Sequence, residues 1–128
     1  MSGDARAWTI ELPLPKVQGS NSRSHWVVRS RTAKSDRYVA FGIAGGRVPR
    51  KPLSDAHVLI DWHCPTKRLI DCDNALSRCK SYLDGLTDAG WWEDDRAIRK
   101  VTIAVHPATD RARGLVRITA MNQGDPPL

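Results

Sequence analysis

At 128 residues the chain has room for one domain and little else. Hydrophobic residues at 41% and charged residues at 27% exclude a disordered tail, and no apolar run approaches the ~18 residues that span a bilayer. Twenty Lys and Arg against fourteen Asp and Glu give +6, with an isoelectric point near 9.7. The opening residues Met1 to Arg6 lack the apolar stretch of a signal peptide. A cytoplasmic protein with no membrane partner is therefore expected.

Trp8, Ile10 and Leu12 alternate with Thr9 and Glu11, a strand pattern stopped by Pro13 and Pro15. Residues 16–31 are polar, rich in Ser, Asn and Arg. A helix is predicted from about Thr32 to Ala44, ending at Gly45-Gly46. Ala56, Val58, Ile60 and Trp62 alternate with polar neighbours in a strand that ends at Pro65. From Asn74 onward, Leu76, Cys79, Leu83 and Leu86 fall at the spacing of an amphipathic helix, with Asp73 placed to cap it and Gly90 to end it. Val101, Ile103 and Val105 mark a third strand, and Val116, Ile118 and Ala120 a fourth. The order β-α-β-α-β-β implies a single small α/β or α+β domain with one mixed sheet and two helices. Residues 1–6 and 122–128 read as loose ends.

Charge is distributed unevenly. Residues 71–95 hold seven acids and two bases, and the rest carries eighteen bases against seven acids, a net +11. A basic body favours a polyanionic partner, because Lys and Arg release counterions condensed on nucleic acid. The acidic island opposes such binding unless a cation neutralises it. Asp71 and Asp73 flank Cys72 where the long helix begins, Lys80 follows seven residues after Asp73, and Asp94-Asp95 precede the third strand. If that strand starts near the start of the helix, three carboxylates converge. Two of them ~4 Å apart already repel by about 4 kcal/mol at an effective dielectric of 20, so a converged set calls for a cation. Oxygen ligands select Mg²⁺ or Mn²⁺, which can activate water and stabilise charge on a phosphoryl oxygen. Lys80 suits the charge that develops in phosphodiester cleavage. Taken singly, the same residues also read as a helix cap, turn residues and a surface Lys80–Asp84 pair.

Other chemistry is thinly represented. Cys64, Cys72 and Cys79 are odd in number without CxxC spacing, and read as buried, inert thiols. A zinc set of these with His63 matches no usual pattern. The four histidines are dispersed and none is assigned to catalysis. Gly45-Gly46 lacks the Lys-Ser/Thr context of a phosphate loop, so no small-molecule cofactor is expected.

The run Asp71-Cys72-Asp73-Asn74, then Lys80, then Asp84-Gly85-Leu86 through Ala89-Gly90 to Asp94-Asp95 resembles the RusA family of Holliday-junction resolvases. Leu12-Pro13-Leu14-Pro15 followed by Asn21, Arg23, His25 and Trp26 is similar to that family's opening strand and polar segment. Members are small endodeoxyribonucleases frequent in phages and prophages, whose cytoplasmic setting is then the host's. The resemblance implies Asp71, Asp73 and Asp95 as catalytic, metal-binding acids, with Asp94 the second choice, and Lys80 as the catalytic lysine. Lys80 stands about three residues further from the DxDN than in shorter members, close to one helical turn. It also implies a four-way DNA junction as substrate, a Mg²⁺ or Mn²⁺ cofactor, and a homodimer whose two-fold matches the junction's. Lys16, Arg23, Arg29, Arg31, Lys34, Arg37, Lys67 and Arg68 are candidate phosphate contacts, as are Arg47, Arg50 and Lys51. The alternatives are a non-catalytic junction- or DNA-binding protein and a metal nuclease acting on flap or duplex DNA.

Overall fold

The computed structural model describes residues 7–17 and 26–124. The chain folds as a small α+β domain: one mixed four-stranded sheet and two helices, in the order β1 (Trp8–Pro13), α1 (Trp26–Ala44), β2 (Ala56–His63), α2 (Cys72–Ala89), β3 (Ile98–His106) and β4 (Leu115–Asn122). The strands lie in the order β1-β4-β2-β3. β4 runs antiparallel to both β1 and β2, while β2 and β3 are parallel and joined through α2.

Alternation sets which face is covered. Ile10 and Leu12 of β1, Val58, Ile60 and Trp62 of β2, and Val116, Ile118 and Ala120 of β4 are buried in one core with Ala40, Ala44, Ala75, Cys79, Tyr82 and Leu86 of the helices. The intervening residues of β2 and β4 are half-buried on the opposite face, as the two-residue period of a strand requires. α1 touches β1 and α2 touches β3.

The helices meet at Gly85. A Cβ there would stand 2.7 Å from Ala40 Cβ, and closer still to the carbonyl oxygen of Arg37, so the backbones approach only because this residue has none. Asp88 accepts two hydrogen bonds from the Arg37 guanidinium, at 2.6 and 2.8 Å, across the same contact. That guanidinium holds the Asp88 carboxyl below the usual carboxylate range.

Several expectations need correction. α1 begins at Trp26 rather than near Thr32. Its opening Trp26-Val27-Val28 and the Ser and Thr that follow have modest helix propensity and no clear apolar stripe, so periodicity alone misses the first turns. The cap of α2 is Asp71, not Asp73: Asp71 is extended and its carboxylate accepts from the Asn74 N–H at 2.8 Å, while Asp73 lies inside the first turn. The buried stripe of α2 is Ala75, Cys79, Tyr82 and Leu86, with Leu76 and Leu83 half-buried on its flank. Cys72 is exposed, whereas Cys64 and Cys79 are buried, and burial pushes the Cys79 thiol up to about 12. The C-terminal loose end does not start at 122. Asn122 Oδ1 accepts from the N–H groups of Ser54 and Asp55, and Gln123 bonds Asp55 through both backbone and side chain. Residues 1–6 and 125–128 lie outside the described residues.

Candidate metal and DNA site

α2 determines where each carboxylate stands. Asp71 and Asp73 are exposed at its N-terminus, where unpaired N–H groups favour negative charge. One oxygen of Asp71 is used in the cap, which fixes the carboxylate over the first turn. Asp71 and Asn74 border a groove of about 490 Å³ together with Arg68 and Arg78. Arg68 comes from the exposed β2–α2 loop, as does its neighbour Lys67.

Arg78, which sequence reading left without a role, braces the groove. Its Nε and Nη2 donate to the carbonyls of Val17 and Pro15 at 3.1 and 3.0 Å, and its guanidinium lies 5.0 Å from the Trp62 ring centroid. The buried carboxylate of Asp36 takes the N–H groups of Lys16 and Val17 at 2.9 and 2.8 Å, and Tyr82 Oη donates to the Pro13 carbonyl at 2.6 Å. The segment after β1 is thereby tied to both helices beside the groove. The lone Arg in an acidic helix and the lone Asp in a basic one were the available signals. Lys80 is exposed on α2, seven residues and about 10 Å along the axis from Asp73. Among the described residues it forms no ion pair with Asp84.

Asp94 and Asp95 stand elsewhere. Gly90, at φ 93°, ends α2 in the left-handed conformation. Trp91 and Trp92 follow, both fully buried, their rings edge to face at 6.4 Å. Trp91 Nε1 donates to the Ala44 carbonyl, and Trp92 Nε1 to Thr87 Oγ1. These anchors turn the chain so that Glu93, Asp94 and Asp95 emerge just before β3. Asp94 accepts from the Arg96 N–H at 2.8 Å and pairs with its guanidinium. Hydrogen bonding from Arg96 holds the Asp94 carboxyl below the usual range. Asp95 is exposed, and none of the described hydrogen bonds or ion pairs uses its side chain.

The two acidic ends are far apart. The 18 residues of α2 span about 27 Å. The parallel register puts Ile98 beside Ala56 and His106 beside His63, so β3 starts at the end of the sheet opposite Asp71 and Asp73. The convergence of Asp95 with these two in one chain is therefore not met, and among the described residues no three His, Cys, Asp or Glu side chains gather to hold a metal.

Basic candidates are scattered. Arg31 and Lys34 lie exposed on α1, Arg37 is engaged by Asp88, and Lys16, Arg50 and Lys51 are exposed. Arg47 donates to the Thr9 carbonyl at 3.4 Å. Arg23 and the side chain of Arg29 lie outside the described residues, as do Asn21, His25 and the side chain of Trp26. On the sheet face away from the helices, His63 and His106 stack at 4.7 Å and His106 pairs with Asp61 at 2.8 Å. Burial pushes the His63 imidazole below its ordinary value. The sequence signal for this group was the alternation in β2, but it needed the register of β3 to bring His106 across.

No family model matches the chain. It is similar to an uncharacterized protein of Xylella fastidiosa (strain Temecula1 / ATCC 700964), 34% identical over 105 residues that cover 77% of this chain and 67% of that protein.

Proposed function

The chain belongs to the same family as that Xylella fastidiosa protein, and from its own residues we propose a metal-dependent endodeoxyribonuclease that cuts four-way DNA junctions as a homodimer. The observation that carries this reading is the pair Asp71 and Asp73 at the N-terminus of α2, beside a groove edged by Arg68 and Arg78, in a chain with +11 outside its acidic island. Two exposed carboxylates with oxygen-only donors suit a hard divalent cation and leave its coordination incomplete. Because α2, about 27 Å long, stands between this pair and Asp95 of the same chain, the third carboxylate comes from Asp95 of the partner subunit. Mg²⁺ or Mn²⁺ held there supplies an activated water and charge stabilisation at the scissile phosphate. Lys80, on the exposed side of α2, offsets negative charge on the phosphodiester, and Lys67 and Arg68 hold the strand at the groove mouth.

A synthetic four-way junction and a matched linear duplex, each incubated with Mg²⁺ or Mn²⁺, test the reading. Paired symmetric nicks near the branch point, confined to the junction, are expected. Junction affinity should also fall with salt by roughly 0.9 log units per log unit for each phosphate neutralised. Binding without cutting would make the chain a non-catalytic junction binder. Equal cutting of duplex or flap DNA would make it a nuclease of another preference.

A further inference from the structure

We propose that the outward face of α1 binds unpaired DNA, with Tyr38 and Phe41 stacking on bases and Arg31 and Lys34 holding phosphates. This rests on the DNA-cutting reading and names the part of the substrate that α1 takes. Tyr38 is 76% exposed and Phe41 43%, and their ring centroids lie 6.4 Å apart. The chain has one Phe and two Tyr, so its only Phe and one Tyr stand side by side outside the core. Arg31 and Lys34 are exposed on the same helix. Among the described residues neither enters an ion pair.

Helical spacing gathers the four. At roughly 100° per residue they fall within about 80° of one another, away from the buried Asp36, Ala40 and Ala44. Ser35 and Gly42 lie beside them and add little bulk, and a Cβ at Gly42 would meet nothing within 4 Å. Between Arg31 and Phe41 this side carries no Leu, Ile, Val or Met. A partner helix or a lipid surface is taken by a broad aliphatic face, which is missing here. Planar rings among unneutralised cations instead suit the two parts of a nucleotide. Every base offers a π-face to stack, and every phosphate a charge. Paired bases are covered by their neighbours in the duplex, so only unpaired ones can use the rings.

The stripe also runs in line with the candidate site. Asp36 accepts from the Val17 N–H while Arg78 donates to the Val17 carbonyl, and further on Trp91 donates to the Ala44 carbonyl. The two helices therefore point the same way, and Arg31 stands towards the end that carries Asp71 and Asp73. Tyr38 and Phe41 follow about 10 and 15 Å along the axis. A strand leaving the acidic end meets the cations first and then the rings.

Binding of a fluorescein-labelled oligothymidylate, measured without divalent metal, tests this. Tyr38→Ala and Phe41→Ala should each raise its dissociation constant at least ~fivefold, with unchanged far-ultraviolet spectra. Tyr38→Phe keeps the ring and should bind as wild type. A fully paired duplex should bind all of these proteins within about twofold of one another. An abasic strand of equal charge should not distinguish Tyr38→Ala from wild type. Lys34→Ala should reduce the salt slope by roughly 0.7 log units per log unit, the share of one phosphate on a single strand. Oligothymidylate binding indifferent to both rings, or a loss equally large on duplex, would overturn the stacking and leave the nuclease reading to the junction assay. Light scattering that shows Tyr38→Ala dissociating a dimer would assign the face to a second copy and overturn the stacking too. Ring-dependent binding in a protein that cuts no junction would uphold the stacking and remove the nuclease reading.

Discussion

Asp73→Asn is expected to lower metal-dependent junction cleavage at least ~100-fold, since loss of a mere outer partner of a metal ligand already costs 10–100-fold. The substitution keeps the side chain's shape and its place in the first turn of α2, where it does not make the cap. Folding should therefore be unchanged. Junction binding without metal should persist or tighten, because one negative charge near the phosphate path disappears while the basic body is untouched. Asp95→Asn should behave alike. Lys80→Ala should lose cleavage without a comparable loss of metal affinity. Asp88→Asn should cut nearly normally, since Asp88 is occupied with Arg37 on the side of α2 that faces α1. Cleavage and metal-free binding, measured side by side on these variants, provide the check. Normal cutting by Asp73→Asn would remove α2's N-terminus as the active site.

Gly85→Ala is expected to destabilise the fold by about 2 kcal/mol, although alanine is the better helix former by about 1 kcal/mol. The new methyl would overlap the backbone of α1 at Arg37 and approach Ala40 Cβ to 2.7 Å. Neither neighbour is the far end of a flexible side chain, so the helices must part. That would loosen the Asp88–Arg37 clasp and the contacts of α1 with the Trp91 anchor. Urea unfolding should show a lower midpoint with an unchanged slope. A more stable Gly85→Ala would mean that the helices do not meet as closely as described.

Much of the fold was legible because its strands obey one rule. In β2, and in β4 as far as Ala120, every second residue is buried, and Ile10 and Leu12 follow suit in β1, so the sequence alternation located these elements and their core faces. α2 was equally clear through its acidic start and Gly90. α1 was not, because apolar residues such as Tyr38 and Phe41 remain exposed on it, which blurs the stripe on which periodicity depends. The cap of α2 was displaced by two residues because Asp71 and Asp73 are chemically equivalent as caps, and only backbone conformation separates them.

The candidate site was legible in its residue types but not in where the fold places them. Sequence spacing brings Asp71, Asp73 and Asp95 within 25 residues, yet most of that length is helix, which keeps its ends apart. A crossover from β2 to a parallel β3 returns the chain to the far end of the sheet before β3 begins. Short separation in sequence therefore means long separation in space. Asp61 and His106, 45 residues apart, show the converse: parallel register brings them to 2.8 Å.

In the proposed nuclease, each metal site draws Asp71 and Asp73 from one chain and Asp95 from another. Mixing the inactive Asp73→Asn and Asp95→Asn proteins tests it most directly. After subunits exchange at equal concentration, half of the dimers are mixed, and each mixed dimer has one site with every carboxylate intact. Junction cleavage should therefore return to about a quarter of the wild-type rate, with neither protein active alone. If all three carboxylates belonged to one chain, every chain in the mixture would stay defective, and cleavage that failed to return would contradict the account.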